Sequence, residues 1–416
     1  MTESGPARSR RPVLMIVHSY YDEDPRVRRE AESLVAAGRV VIVIGLRRPG
    51  EPARGELAGV LVRRLDVQRH QGAGLLTYLR EYLSFGVRAA WLAARLHRRT
   101  RFGLLQVHSL PDFLAFAALP LRLAGVPLLL DLHEAMPEFF QSRFPRAANP
   151  RLRWLLLLQE RLSIAFSSHT ITVNDAMRDR LVRLGVPAHK VSVVINSPVL
   201  DRFDPGRHPH RPFAVDGVVR LIYTGGLTPT YELDVALRAV ARLAAGRPDL
   251  DVRLDVFGRG DSEPLLHRLA TQLGIAERVV FHGRVPLEAI PTAVAMADIG
   301  VAPTRLDAYT GLTLSTKVYE YAAMGKPVVA TRLPMLERTF PDGAVQTYAS
   351  GDHVGMAAAL GRLIDDADMR SAGVQRAREI VEAAAWERES VRYVARIDRH
   401  IRNGRPLVAT QTTPSR

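Results

Sequence analysis

VLMIVHSYYDEDPRVRREAESLVAAGRVVIVIG, from Val13 to Gly45, decides the fold. Val13–Val17 is an unbroken apolar run, His18–Asp24 a polar turn, and Pro25–Ala37 carries Val27, Ala31, Leu34 and Val35 at helical spacing on one face. Gly38 ends that helix, and Val40–Gly45 is β-branched on both faces, as in a strand covered from both sides. Strand, helix and buried strand in this order open a doubly wound parallel sheet. Further strands are expected at Val60–Arg63, Leu104–Val107, Pro127–Asp131, Thr170–Val173 and Val191–Ile195, with helical patterns separating most of them.

The pattern then pauses and restarts. Asn196–Gly217 is rich in Pro, His, Asp and Gly without periodicity, so 197–217 reads as a linker between domains at 12–196 and 218–380. The second domain is expected to have strands at Val219–Tyr223, Val252–Phe257, Val279–His282, Ile299–Ala302 and Pro327–Ala330. A helical stretch at Val374–Asn403, its part 381–403 above all, is expected to cross back to the first domain, and residues 1–11 and 404–416 are expected to be disordered. The fold class is α/β, two Rossmann-like parallel-sheet domains facing across a cleft, with ligands at the carboxyl ends of the strands.

The 416 residues hold 57 Lys+Arg against 43 Asp+Glu, a net charge of +14, and no cysteine. Disulfides, thiolate metal sites and thiol nucleophiles are thereby excluded. Only Lys190, Lys317 and Lys326 are lysines; the other 54 cations are arginines, a skew of composition that says little about ligands. No recognisable nucleic-acid module accompanies the charge, so nucleic acid is not an expected partner. No apolar run reaches the ~18 residues of a membrane span, and the N-terminal stretch is too soon polar for a secretory leader. The expectation is a cytoplasmic protein, with the inner membrane face as its one membrane contact. Leu75–Arg101 supplies the reason: Tyr78, Tyr82, Phe85 and Trp91 interleave with Arg80, Arg88, Arg95, Arg98 and Arg99 at helical spacing. Such a helix lies on an anionic membrane or packs on its own sheet with solvated arginines; both readings stand.

Chemistry concentrates in APTRLDAYTGLTLSTKVYEYAAMGKPVVA, from Ala302 to Ala330. A strand opens into a Gly/Thr/Ser loop, and a helix beginning near Thr316 carries Lys317 in its first turn and Glu320 on the same face. The loop and helix N-terminus offer N–H groups to phosphate, Lys317 a full charge, and Glu320 an acceptor for two ribose hydroxyls. A surface Lys–Glu pair is the plainer alternative. Asp22-Glu23-Asp24 spells a DxD, but reads more simply as a solvated turn whose Asp24 caps the next helix. No HExxH, GxSxG or GKT/S motif occurs.

This segment resembles the C-terminal domain of family 4 (group 1) glycosyltransferases, retaining enzymes of GT-B fold. DPRVRREAESLVAAGRVVIVIG from Asp24, DLHEAMPEFF from Asp131, VVINSPVLDRF from Val193, YTGGL from Tyr223, FGRG from Phe257 and FHGRV from Phe281 resemble other parts of the family in the same order. The resemblance implies transfer of a sugar from a nucleoside-diphosphate sugar to a hydroxyl of a glycan, lipid-linked or small-molecule acceptor, without cofactor or metal. It implies that Glu320 holds the donor ribose, that Gly225 and Gly226 let the backbone approach the diphosphate, and that Gly258, Arg259, Thr316 and Lys317 also belong to the donor-binding site. Arg284 and Val285 would lie beside the base, and His133 would face the transferring sugar. His18, Glu134 and Glu138 would stand on the acceptor side. The family's usual first motif Glu falls at Leu312, and its phosphate-turn Arg and Lys fall near Gly226 and Tyr231, so all three are missing. Lys317 is the leading substitute, followed by Arg259. A nucleotide-sugar epimerase or hydrolase of the same architecture, or a degenerate non-catalytic scaffold, is the alternative.

Overall fold

The computed structural model describes residues 11–68, 75–144, 149–209, 211–341 and 343–403; the expected disordered stretches lie outside this range, apart from residue 11. The chain forms two compact units. The first comprises 11–140 and 149–195 with 389–403, the second 196–388 with 141–144.

In the first unit, β1 (Val13–Ile16), α1 (Pro25–Ala36), β2 (Val41–Leu46), β3 (Arg54–Leu57), β4 (Val60–Leu65), α2 (Leu75–Thr100) and β5 (Leu104–His108) follow one another. Then come α3 (Leu119–Leu123), β6 (Leu128–Leu132), α4 (Met136–Arg143), α5 (Pro150–Phe166), β7 (His169–Thr172), α6 (Asp175–Arg183) and β8 (Val191–Val193). The sheet order is β3-β4-β2-β1-β5-β6-β7-β8, parallel throughout except for the β3·β4 hairpin. β1, β2, β5 and β6 are buried along their whole length, which is why they carry apolar side chains on both faces.

The second unit runs β9 (Val218–Thr224), α7 (Leu233–Gly246), β10 (Asp251–Phe257), α8 (Glu263–Gln272), β11 (Val279–Gly283), α9 (Ile290–Met296) and β12 (Ile299–Ala302). It continues with α10 (Thr316–Ala323), β13 (Val328–Thr331), α11 (Pro334–Thr339), β14 (Gln346–Tyr348), α12 (His353–Asp365) and α13 (Ala367–Ala383). Its sheet is β11-β10-β9-β12-β13-β14, all parallel. Both sheets reverse their winding once, between β1 and β5 and between β9 and β12. At each reversal two loops diverge, leaving a crevice at the carboxyl ends of the strands where doubly wound folds take ligands.

Two boundaries differ from the sequence reading. The stretch 197–217 is packed on the second unit: Phe203 is buried in its core, and Arg211 pairs with the buried Asp298 at 2.6 Å. The helical stretch Val374–Asn403 is two helices, because Ala384 and Ala385 leave the helical course before α14 (Trp386–Asn403) begins. From Glu389 onward α14 belongs to the first unit, with Tyr393 and Ile397 fully buried there.

Candidate active site

In the second unit the glycine turns after β9, β10 and β11 stack side by side. Gly225 N–H donates to the Phe257 carbonyl at 2.8 Å, Gly258 N–H to Gly283 at 2.7 Å, and Leu227 N–H to Arg259 at 3.0 Å. Gly225 and Gly258 adopt φ of 142° and 140°, which L side chains avoid. A Cβ on Gly258 would overlap the Gly225 carbonyl oxygen, and one on Gly260 the carbonyl of Leu227. The Gly-x-Gly of residues 258–260 is therefore required by turn-on-turn packing. Gly225 differs: a Cβ there would lie 2.6 Å from Lys317 Cε and 2.9 Å from its Nζ.

That ammonium is the centre of the crevice. Lys317 sits in the first turn of α10, buried, with Nζ 4.0 Å from the ring centroid of Tyr231, 5.1 Å from that of Tyr223 and 3.5 Å from Ser315 Oγ. Burial pulls its pKa down to about 8, with Glu320 countering in part. The two aromatic faces supply negative quadrupole to a cation that water does not reach freely. Ser315 leaves the N-terminus of α10 without a side-chain cap, so first-turn N–H groups point the same way. Thr316 and Glu320 are half-buried on the same helix. The adjacent Tyr321 is fully buried; its hydroxyl accepts from Thr224 N–H at 2.9 Å and so ties α10 to the end of β9. A Cβ on Gly300 would overlap the Tyr321 ring, which explains the glycine inside β12. Arg259 is exposed beside Gly283, Arg284 exposed and Val285 half-buried after β11. Gly226 has only ordinary contacts, the nearest being Tyr231 at 3.7 Å.

The first unit carries a second polar cluster at its own reversal. Asp131, near the end of β6, is buried with Oδ2 2.8 Å from His108 Nδ1 and 2.8 Å from His133 Nε2, and the two rings stack 5.7 Å apart. Burial raises the Asp131 carboxyl, but the charges and hydrogen bonds of the two histidines hold it far below the carboxylate range. Burial lowers both histidines; for His108 the Asp131 bond and charge, with Glu30, reverse the shift upward. His133 stays shifted down by burial, with Arg26 and His108 adding to it against Asp131. Of the two histidines, His108 is therefore the more readily protonated. A neutral His133 donating Nε2–H to Asp131 leaves Nδ1 as an acceptor, and that buried atom has no hydrogen-bond partner among the described residues. His133 N–H is fixed by Ser109 Oγ at 3.1 Å.

Behind this lies Gln106, whose amide donates to Glu30 at 2.6 Å while its oxygen accepts from Tyr393 of α14 at 2.6 Å. Burial and the nearby Asp131 push Glu30 up to about 8. His108, Asp131 and His133 have the donor types and mutual distances of a metal site. Their environment disfavours a cation, since Arg26 and Arg29 are coulombic partners of Asp131 and its neighbours. The cluster satisfies its charges by hydrogen bonds. Asp22 and Glu23 pair with Arg48 while Asp24 caps α1.

The acceptor-side candidates are spread over distinct roles. His18, just past β1, is buried and pairs through Nε2 with Glu81 of α2 at 3.1 Å, its ring edge-on to Tyr82 and Phe85. Glu138 of α4 holds Arg180 Nη2 at 2.6 Å, while Arg180 Nη1 bridges both oxygens of Glu160 at 2.9 and 3.0 Å. Its charge is therefore engaged inside the unit. Glu134 is half-buried after β6. Reading the sequence missed His108, Glu81, Arg180 and the three tyrosines. His108 ends a strand whose expected end fell one residue short; Arg180 carries no local signal among 54 arginines.

Two family descriptions match the two units: "Glycosyl transferase 4-like domain" over residues 24–197 and "Glycosyl transferases group 1" over 219–366. The chain belongs to the group 1 glycosyltransferases. It is 32% identical over 254 residues to D-inositol 3-phosphate glycosyltransferase 2 of Catenulispora acidiphila, 58% of each chain. It is 28% identical to the D-inositol 3-phosphate glycosyltransferase of Streptomyces scabiei over 81% of this chain and 76% of that one. With the alpha-D-kanosaminyltransferase of Streptomyces kanamyceticus it shares 24% over 69% and 76%. Among solved structures, a sucrose-phosphate synthase from Thermosynechococcus elongatus superposes with a TM-score of 0.77 at 17% identity, over 94% of this chain and 99% of that one. Anabaena HepE in complex with UDP and glucose gives 0.69 at 16%, over 95% and 100%. The fold is GT-B.

Proposed function

We propose that the chain is a retaining glycosyltransferase that moves a sugar from a nucleoside-diphosphate donor to a hydroxyl of a glycan, lipid-linked or small-molecule acceptor. The observation that carries this reading is the buried Lys317 ammonium beside Gly225, one turn ahead of Glu320 on α10. The family's phosphate-turn cations are missing, and here a single lysine from another element stands at the glycine turn in their stead. HepE, a structural neighbour, is described with UDP and UDP-glucose, which makes a UDP-sugar the first donor to try.

In this reading Glu320 accepts the ribose hydroxyls. Lys317 and the open N–H groups of α10 take up the charge that grows on the leaving diphosphate, so stabilisation is electrostatic and set in place beforehand. No metal is required for that role. His133 Nδ1 accepts a hydroxyl of the transferring sugar and orients it. The acceptor oxygen attacks on the face that the diphosphate leaves, passing its proton to a diphosphate oxygen. Thermal-shift titration with UDP, GDP, ADP and dTDP on wild type and Glu320→Ala tests the site. One nucleotide stabilising wild type but not the variant is expected; flat curves for all four favour the non-catalytic scaffold.

A further inference from the structure

Twelve of the 21 exposed large hydrophobic side chains among the described residues belong to three pieces of the first unit. These are α2, the segment Asp112–Leu123 that ends in α3, and α5. All three connect strands in the same direction across the sheet, from β4 to β5, β5 to β6 and β6 to β7, so right-handed crossovers set them on one face. They touch one another there: Phe116 lies 5.3 Å from Phe166 ring to ring, and Arg122 packs over Phe166. Each helix is apolar on both sides. α2 buries Phe85, Ala89 and Ala93 against the sheet and turns Val87 and Trp91 outward, 71% and 63% exposed. On α5, Trp154 and Leu155 are 61% and 52% exposed, and Leu123 of α3 is 66% exposed.

Charge is sorted along the same line. The acidic residues of these pieces are Glu81, Asp112 and Glu160, and all three are buried. Every exposed charged side chain on them is an arginine, among them Arg88, Arg95, Arg99, Arg151, Arg153 and Arg161. A solvated helix face ordinarily mixes both signs and carries few bare tryptophans. An apolar surface with tryptophans, rimmed by cations and free of exposed carboxylates, matches a layer that is anionic above and hydrocarbon below.

We propose that the outward face of α2, α3 and α5 docks on the headgroup layer of an anionic bilayer, with Trp91 and Trp154 entering the interface. The occupant is chosen by charge complementarity: a protein partner would need a large apolar surface ringed only by acids, whereas anionic lipid offers both at once. The single basic helix read from the sequence is one third of this platform; α5 doubles its tryptophans.

Vesicle co-sedimentation of the full chain tests it, using phosphatidylcholine alone and phosphatidylcholine with phosphatidylglycerol. Expected is binding to the anionic vesicles, little to the neutral ones, and weakening in 0.5 M salt on the order expected for screened surface charges. Trp91→Gln with Trp154→Gln, and separately Arg95→Gln with Arg99→Gln and Arg153→Gln, should each weaken binding at least about tenfold with an unchanged melting temperature. Should either set melt early, Trp154→Gln alone and Arg153→Gln alone, both at exposed positions, take its place. Absence of binding, equal binding to both vesicles, or binding indifferent to the substitutions overturns the proposal. So does a dimer in solution that the tryptophan substitutions dissolve, which would assign the face to a second copy.

Discussion

The Lys317 ammonium lies 4.0 Å above the ring of Tyr231, at a position where the resemblance leads one to expect a lysine of the phosphate turn. In the function proposed above, Lys317 of α10 supplies the charge that the turn lacks, and Tyr231 is the aromatic face beneath it. Lys317→Met keeps the length of the side chain and removes the charge. Charge-assisted hydrogen bonds are worth ~1.5–3 kcal/mol, so nucleoside-diphosphate affinity should fall by about 10–150-fold while the fold is kept. Calorimetric titration with nucleoside and nucleoside diphosphate checks this, since the nucleoside should bind both proteins alike.

The same residue sets a pH dependence. Its folded pKa of about 8 lies below the usual lysine value, so only above about pH 8 is a proton given up on folding. Between pH 8 and the ordinary lysine range the unfolded chain holds more protons, and this lysine's cost to stability is relieved as pH rises. Diphosphate binding needs the charge and should weaken above pH 8. Lys317→Arg, charged throughout, should flatten that decline even where its absolute affinity is lower.

Gly258 and Gly226 separate packing from ligand approach. Gly258→Ala meets both a forbidden φ and the Gly225 carbonyl, so a loss above ~3 kcal/mol is expected. Gly226→Ala has room and should cost less than ~1 kcal/mol while altering nucleotide affinity. Urea unfolding of both proteins, followed by nucleotide titration, decides; equal stability losses would remove the distinction.

Arg180 is the counter-charge of both Glu138 and Glu160, in the neighbourhood of a buried Asp112 whose carboxyl burial and Glu160 push well up. Arg180→Met leaves two carboxylates without their cation, which costs on the order of 3–5 kcal/mol for a broken buried pair. Adding Glu160→Gln to it should recover part of that loss in a double-mutant cycle.

Glu30 titrates in the opposite sense from an ordinary surface acid. Its folded pKa near 8 exceeds the unfolded value, so the folded chain holds the extra proton and stability from this group is lost as pH climbs from about 4.5 toward 8. Glu30→Gln keeps an oxygen for the Gln106 amide and should melt with a smaller difference between pH 5.5 and 8.5 than wild type. An identical pH profile in the two proteins would falsify the assignment.

The parallel sheets were legible because buried parallel strands spell themselves in β-branched runs, as at Val41–Leu46. Lys317 and Glu320 were legible because lysine is rare here and the loop before them is distinctive. The β3·β4 hairpin was not, since Ala58 and Gly59 both turn with positive φ and alanine gives no sign of it. β14, three residues long, carries too little pattern to be seen. The network of Glu30, Gln106, Asp131 and Tyr393 joins residues as much as 287 positions apart, which no local spacing reports.

That last contact bears on how the protein comes into being. Tyr393 and Asp398, which pairs with Arg39, lie on the closing helix of a unit whose sheet leaves the ribosome some two hundred residues earlier. During synthesis the nascent first sheet exposes the floor that α14 will cover, with Gln106 and Glu30 unsealed, until the whole second unit has been translated. The order of synthesis thus leaves the first unit without α14 until the second has been made, and a fragment ending near residue 196 lacks both the Tyr393–Gln106 and the Asp398–Arg39 contacts.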